Sequence, residues 1–340
     1  MRPFDYSRPH AIAQAVQAAA SPPSSAPPTA AAAQFLAGGT TMLDLMKLNV
    51  MAPEALVDIG ALADEGLRSI EVSSKGLRLG ALVRMAEAAD HPQIRADYPV
   101  VAQSLTLAAS QQLRNMASLG GNVLQRTRCS YFRDTSWAAC NKRAPGSGCA
   151  AMEGVNRPHA VLGVSEHCIA AYPGDLAQAL IALEAIVHTR GPNGARAIAF
   201  GDLHRQPADR PDVETVLSPG ELIVDIEVPA KAWFRRSLYL KIRDRESYEF
   251  ALASAAVALD MDGDRVREAR IALGGVATVP WRAREAERAL IGVRLDEGAA
   301  TAAAEAAFVM AQARQHNRFK IDLGKRTLVR ALLSAAAMEL

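Results

Sequence analysis

The chain has 340 residues, half of them hydrophobic and 22% charged, with a formal net charge of +2. That is enough material for two or three cored domains, and too little charge imbalance to make nucleic acid or an anionic membrane a main partner. No apolar run reaches the roughly 18 residues that span a bilayer, and Met1-Arg2-Pro3-Phe4-Asp5-Tyr6 lacks the apolar core and cleavage site of a signal peptide. The expectation is a chain that folds in the cytoplasm and reaches the periplasm only if exported attached to a partner.

Phe4-Asp5-Tyr6 starts a strand, and 10–20 is an alanine-rich helix. The stretch 21–29 holds four prolines and three serines and predicts a mobile surface loop. A buried strand, 34–37, runs into Gly38-Gly39, and Thr40 or Thr41 can cap the helix 42–47. A strand at 56–59 and a hairpin of 67–72 with 76–82 follow. The helical region 85–116 is broken near His91-Pro92 and at Pro99. From 129 to 163 the chain is rich in Gly, Pro, Asn and Arg and has little periodicity; loops that long are usually functional or held by a ligand. A strand at 168–171, a helix at 176–184 and strands at 186–189 and 196–200 come next. After a boundary near Val228-Pro229-Ala230, strands at 237–242, 250–259 and 266–273 and helices at 282–290, 297–315 and 325–338 form a separate small α+β domain.

Two elements carry chemistry of one kind. Ala37-Gly38-Gly39-Thr40-Thr41 lies between a strand and a helix, where glycines let the backbone approach a ligand and free amides favour a phosphate. Alone, it reads equally as a tight turn. It is neither a Walker A loop nor a G-x-G-x-x-G fingerprint. Arg114-Asn115-Met116-Ala117-Ser118-Leu119-Gly120-Gly121-Asn122 repeats the pattern after another helix. Two such loops are what a ligand with two phosphates requires, and they point to a dinucleotide.

These two motifs, together with Leu43 to Lys47, Pro219-Gly220-Glu221-Leu222-Ile223 and Tyr239-Leu240-Lys241-Ile242-Arg243, resemble the FAD-binding subunits of the xanthine dehydrogenase and carbon monoxide dehydrogenase family along the whole chain. The resemblance implies an α+β chain. A vanillyl-alcohol-oxidase-type FAD domain would occupy 1–228, with α/β subdomains at about 1–55 and 56–228. A C-terminal domain at 229–340 would carry a three-stranded antiparallel sheet with helices. It also implies that Gln34, Phe35, Leu36, Ala37, Gly38, Gly39, Thr40, Thr41 and Met42, with Ser118, Gly120, Gly121 and Asn122, surround the FAD pyrophosphate. Asp175 matches a position on the adenosine half, while Ile223 and Lys241 match positions near the flavin. A lysine beside N1 and O2 would stabilise reduced, anionic flavin. Without the resemblance, Asp175 reads as a helix N-cap and Lys241 as a solvated strand lysine.

All four cysteines, Cys129, Cys140, Cys149 and Cys168, lie in one short stretch, which in a reducing compartment points to a metal rather than to disulfides. No C-x-x-C pair is present, so spacing leaves zinc, [2Fe–2S] and [4Fe–4S] open. Gln125-Arg126-Thr127-Arg128-Cys129 and the run from Cys140 to Cys149 are similar to an insert, about 124–168, found in bacterial aldehyde oxidoreductases of this family. That similarity implies a [4Fe–4S] cluster on the four cysteines. The local bases Arg126, Arg128, Arg133, Lys142 and Arg143 face only Asp134 among nearby acids, a surplus that would offset an anionic cluster. Tyr131, Phe132 and Trp137 are candidates for a dry shell; His159 and His167 read as structural.

No complete hydroxylation site is visible. The resemblance places substrate oxidation in a large partner subunit with the molybdenum cofactor, and two [2Fe–2S] centres in a small one. FAD would pass their electrons to an external acceptor, with an aldehyde as substrate. The alternatives are a self-sufficient FAD oxidase of the same fold and an iron–sulfur scaffold without flavin.

Overall fold

The computed structural model describes residues 1–20 and 27–340. Most of the proline- and serine-rich loop expectation, 21–26, lies outside the described residues; Pro28–Ala30 closes it as a 3-10 turn.

The N-terminal unit is a parallel three-stranded sheet of β1 (Asp5–Ser7), β2 (Ala33–Leu36) and β3 (Ala55–Asp58), in the order β1-β3-β2. Parallel neighbours need crossovers, which α1 (Ile12–Ala19) and α2 (Met42–Lys47) provide. Helix α1 turns Ala15, Val16 and Ala19 inward, and Ala15 and Ala19 join Val57, Ile59 and Leu62 in a small core.

The second unit is an antiparallel sheet in the order β4-β5-β8-β6-β7, built from β4 (Ile70–Ser73), β5 (Gly76–Gly80), β6 (Ile186–Gly191), β7 (Gly194–Ala199) and β8 (Leu222–Pro229). Between β5 and β6 the chain makes α3 (Met85–Asp90), α4 (Pro92–Asp97), α5 (Pro99–Thr106), α6 (Gln111–Met116), α7 (Leu119–Val123), α8 (Ser130–Arg133) and α9 (Leu176–Ala182); α10 (Phe200–Leu203) follows β7. The expected breaks occur at Pro92 and Pro99, each in the first turn of a new helix, where proline's missing amide is harmless. Residues 168–171 are not a strand: Cys168 makes only an isolated bridge to Ser165, because Ile169 and Tyr172 bond instead to Ala160 and Ala277.

The C-terminal sheet has four strands rather than three, β9 (Ser237–Ile242), β10 (Ala253–Asp262), β11 (Arg265–Gly274) and the short β12 (Trp281–Arg282), in the order β12-β11-β10-β9. Strand β10 is covered on both faces. Ala256 and Ala258 join the core of the second unit, while Ala255, Val257 and Leu259 face α11 (Arg284–Leu290), α12 (Glu297–Ala307) and α13 (Phe319–Ala336). That period of two explains why small alanines suffice on the side that packs against α5 and α9. Helix α12 stops at Ala307, short of the expected 315, and α13 starts earlier than expected, at Phe319. No helix among the described residues is long and apolar enough to cross a membrane.

Candidate functional site

A cavity of about 1050 Å³ opens between the parallel sheet and the second unit. Its lining includes Gln34, Phe35, Ala37, Gly38, Gly39, Thr40, Thr41 and Met42 from one side, Ser118, Gly120 and Gly121 from the other, and Ile223 on β8. The two glycine loops touch each other at its edge. A Cβ on Gly38 would sit 2.1 Å from the Met116 carbonyl oxygen, so only glycine permits the approach. Gly39 has φ of +74°.

The loops do different things. Among the described residues, the amides of Gly39, Thr40, Thr41 and Met42 have no backbone or side-chain acceptor, and neither threonine caps α2 with its side chain. In the second loop, Leu119 donates to Val83, Gly120 to Ala81 and Gly121 to the Ser118 hydroxyl. The first loop therefore offers amides to a phosphate, and the second offers a close, small-residue wall. Free donors facing a large cavity, beside a glycine that tolerates no side chain, fit a dinucleotide.

Four expected residues do not line the cavity. Leu36 turns away from it, and Asn122 donates to the Met85 sulfur. Asp175 and Lys241 pair with each other at 2.7 Å in the interior, with side chains 4% and 1% exposed. Asp175 stands at the N-cap of α9 but caps nothing; it also accepts from the Tyr239 hydroxyl, 2.7 Å away. Lys241 further donates to the Leu107 carbonyl. Burial pushes the Asp175 carboxyl up, and Lys241 opposes that shift. The structure pairs these two residues with each other and places neither in the cavity lining.

Cys129, Cys140, Cys149 and Cys168 converge on a second, much smaller hollow of about 10 Å³, with Tyr131, Phe132, Lys142 and His167 in its wall. Burial drives the Cys129 thiol up to about 12 and that of Cys168 to about 11, and raises Cys149. Backbone amides work the other way: Phe132 and Tyr131 on Cys129, Ala151, Ile169 and Met152 on Cys149, and Ala170 on Cys168. Iron–sulfur clusters are held by cysteine sulfurs and tuned by hydrogen bonds to them. Among the described residues no group of three or more His, Cys, Asp or Glu side chains is close enough together to hold a metal ion. The donor chemistry suits a cluster, while the hollow as it stands holds about one water. His159 Nε2 lies 3.1 Å from the Cys129 sulfur, and burial lowers its pKa to about 4. Of the aromatic residues, Tyr131 and Phe132 pack on the cysteines, while the half-exposed Trp137 packs edge-on against Tyr131.

The basic surplus of this segment is not free. Arg126 and Lys142 both pair with Glu214, while Arg128 and Arg133 share Asp44 of α2. Arg143 donates to the carbonyls of Tyr131, Phe132, Asp134 and Trp137. Carboxylates distant in sequence thus pair with Arg126, Lys142, Arg128 and Arg133, and nearby carbonyls accept from Arg143. Glu214 went unnoticed in the sequence. An acid-poor, base-rich insert was the one signal that partners must come from elsewhere. Lys142, Cys168 and Ala170 line both hollows, and Arg126 and Glu214 join Lys142 on the side of the large one.

This fold and cavity define a class: residues 2–231 match the FAD binding domain in molybdopterin dehydrogenase, residues 237–335 match the CO dehydrogenase flavoprotein C-terminal domain, and the chain belongs to this family of oxidoreductase flavoprotein subunits. Among its relatives, the aldehyde oxidoreductase FAD-binding subunit PaoB of Escherichia coli K12 is 45% identical over 339 residues, 99% of each chain. The carbon monoxide dehydrogenase medium chain of Afipia carboxidovorans is 28% identical, covering 89% of this chain and 86% of its own. Among solved structures, the reconstituted CO dehydrogenase from Oligotropha carboxidovorans superposes with a TM-score of 0.75 at 25% identity over the whole of both chains.

Proposed function

We propose that this chain is the FAD-carrying, electron-exit subunit of a multi-subunit molybdenum hydroxylase that oxidises aldehydes to carboxylic acids. When bound, FAD supplies a centre that takes electrons from partner [2Fe–2S] groups and releases them to an external acceptor. The chain's own residues hold and shield it. The free amides of Gly39 to Met42 would hold the pyrophosphate, Gly38 lets the two loops close, and Ile223 would give an apolar surface for the ring system. The observation that carries the reading is this pair of touching glycine loops on a cavity of about 1050 Å³. Aldehyde as the substrate is supported by the 45% identical relative, an aldehyde oxidoreductase subunit.

The reading also assigns Cys129, Cys140, Cys149 and Cys168 to a [4Fe–4S] cluster, supported by their convergence and by their amide donors. Purification of the complex from its native host tests both assignments. Molybdenum, FAD and about eight iron atoms together are expected from two [2Fe–2S] centres and one [4Fe–4S] centre. Cys140→Ser should remove about four of those iron atoms. A flavin-free complex, or aldehyde turnover by this chain alone, would refute the proposal.

A further inference from the structure

Arg126 has a place in the cavity wall that its salt bridge does not account for. Its side chain is 9% exposed, its Nε bonds Glu214, and its guanidinium carbon lies 4.9 Å over the Phe132 ring. Both terminal nitrogens are buried and, among the described residues, have no hydrogen-bond partner. Buried donors of a charged group are rarely left unmet, because desolvation is not repaid. The other cations lining the cavity are differently placed: Lys142 is held by Glu214 and the Pro211 carbonyl, Arg210 pairs with Asp212, and Arg205 is exposed. Lys241, the cation that the family resemblance puts near the flavin, is paired with Asp175.

We infer that Arg126 is a binding residue for the cofactor: its two free amino groups make a forked hydrogen bond to an oxygen-bearing edge of FAD. A planar fork with fixed spacing suits two adjacent acceptors, as in a phosphate or the N1–O2 edge of a flavin. Glu214 is the positioning residue. It takes Nε, so the two terminal nitrogens are not spent on the acid, and Lys142 fixes Glu214 in turn. This inference rests on the reading of the cavity as an FAD site.

The test uses the full chain stripped of flavin and titrated with FAD, following quenching of flavin fluorescence, with melting curves as the control for folding. Arg126→Gln should weaken FAD binding about 10- to 100-fold, the loss expected for hydrogen bonds from a charged donor. Arg126→Lys keeps the charge without the fork and should recover only part of that loss; it also decides the matter if the glutamine variant does not fold. The flavin midpoint potential separates the two acceptors. Weaker binding with a more negative midpoint assigns the flavin edge, and weaker binding at an unchanged midpoint assigns phosphate oxygens. Unchanged FAD affinity in folded Arg126→Gln overturns the inference alone. A wild-type chain that binds no FAD overturns the reading beneath it as well.

Discussion

Lys142 Nζ lies 2.8 Å from Glu214 Oε1, a contact made by a lysine that lines both the large cavity and the cysteine hollow. The lysine follows Cys140 by two positions, so the pair ties the cysteine segment to a chain region 72 residues away. Lys142→Met leaves the Glu214 carboxylate with only Arg126. The expected cost is roughly 2 kcal/mol, that of a charge-assisted hydrogen bond in a partly exposed site. Denaturant unfolding of the single variants and of the double variant with Glu214→Gln would isolate the pair. Additive effects would show that the contact contributes nothing.

Glu214 also gives stability a pH dependence. Burial opposes its ionisation, but Arg126 and Lys142 outweigh burial and hold its pKa down at about 2. A carboxyl depressed in the folded state stabilises the protein above the ordinary carboxylate range and loses that contribution as pH falls towards 2. Wild-type stability should therefore drop more steeply between about pH 4.5 and 2.5 than that of Glu214→Gln. Urea midpoints at several pH values check this; parallel curves would contradict it.

Gly38→Ala places a methyl group against the Met116 carbonyl, 2.1 Å from its oxygen, where backbone on both sides has no room to yield. The loops must separate, and FAD binding should fall more than about tenfold, or roughly 1.4 kcal/mol. The flavin-to-protein ratio after gel filtration is the readout. Full retention of FAD would show that the contact between the loops is dispensable.

Lys241→Met strands the Asp175 carboxylate in the interior. Breaking a buried pair in this way costs about 3–5 kcal/mol, and neutralising both partners with Asp175→Asn should restore part of it. Thermal melts of the three variants test this. A normal melt for Lys241→Met, accompanied by a more negative flavin midpoint, would instead return the lysine to the cofactor.

Much of the fold was legible because local pattern dictates it. The run from Ala33 through Gly38-Gly39 to Lys47 reads as strand, turn and helix from composition alone, and it is built that way. Pro92 and Pro99 break the helices because a ring in place of an amide acts within one turn. The 168–171 segment misled because its small and apolar residues resemble a strand, yet the Ile169 carbonyl accepts from Ala160 while the adjoining Tyr172 amide donates to Ala277, so no single neighbour pairs with it. The sheet's fourth strand, Trp281–Arg282, is two residues long, too short for any periodicity to declare it.

By itself the sequence determined the glycine loops, the confinement of all four cysteines to one segment and the family to which the chain belongs. Only the tertiary structure decided which charges meet: Glu214 with Arg126 and Lys142, Asp44 with Arg128 and Arg133, Asp175 with Lys241. The reason is physical. Backbone conformation follows from neighbours a few positions away, whereas a salt bridge depends on distance in space between residues that the chain itself sets far apart. The excess of bases around the cysteines was visible from the start, and the fold supplied the acids that answer it.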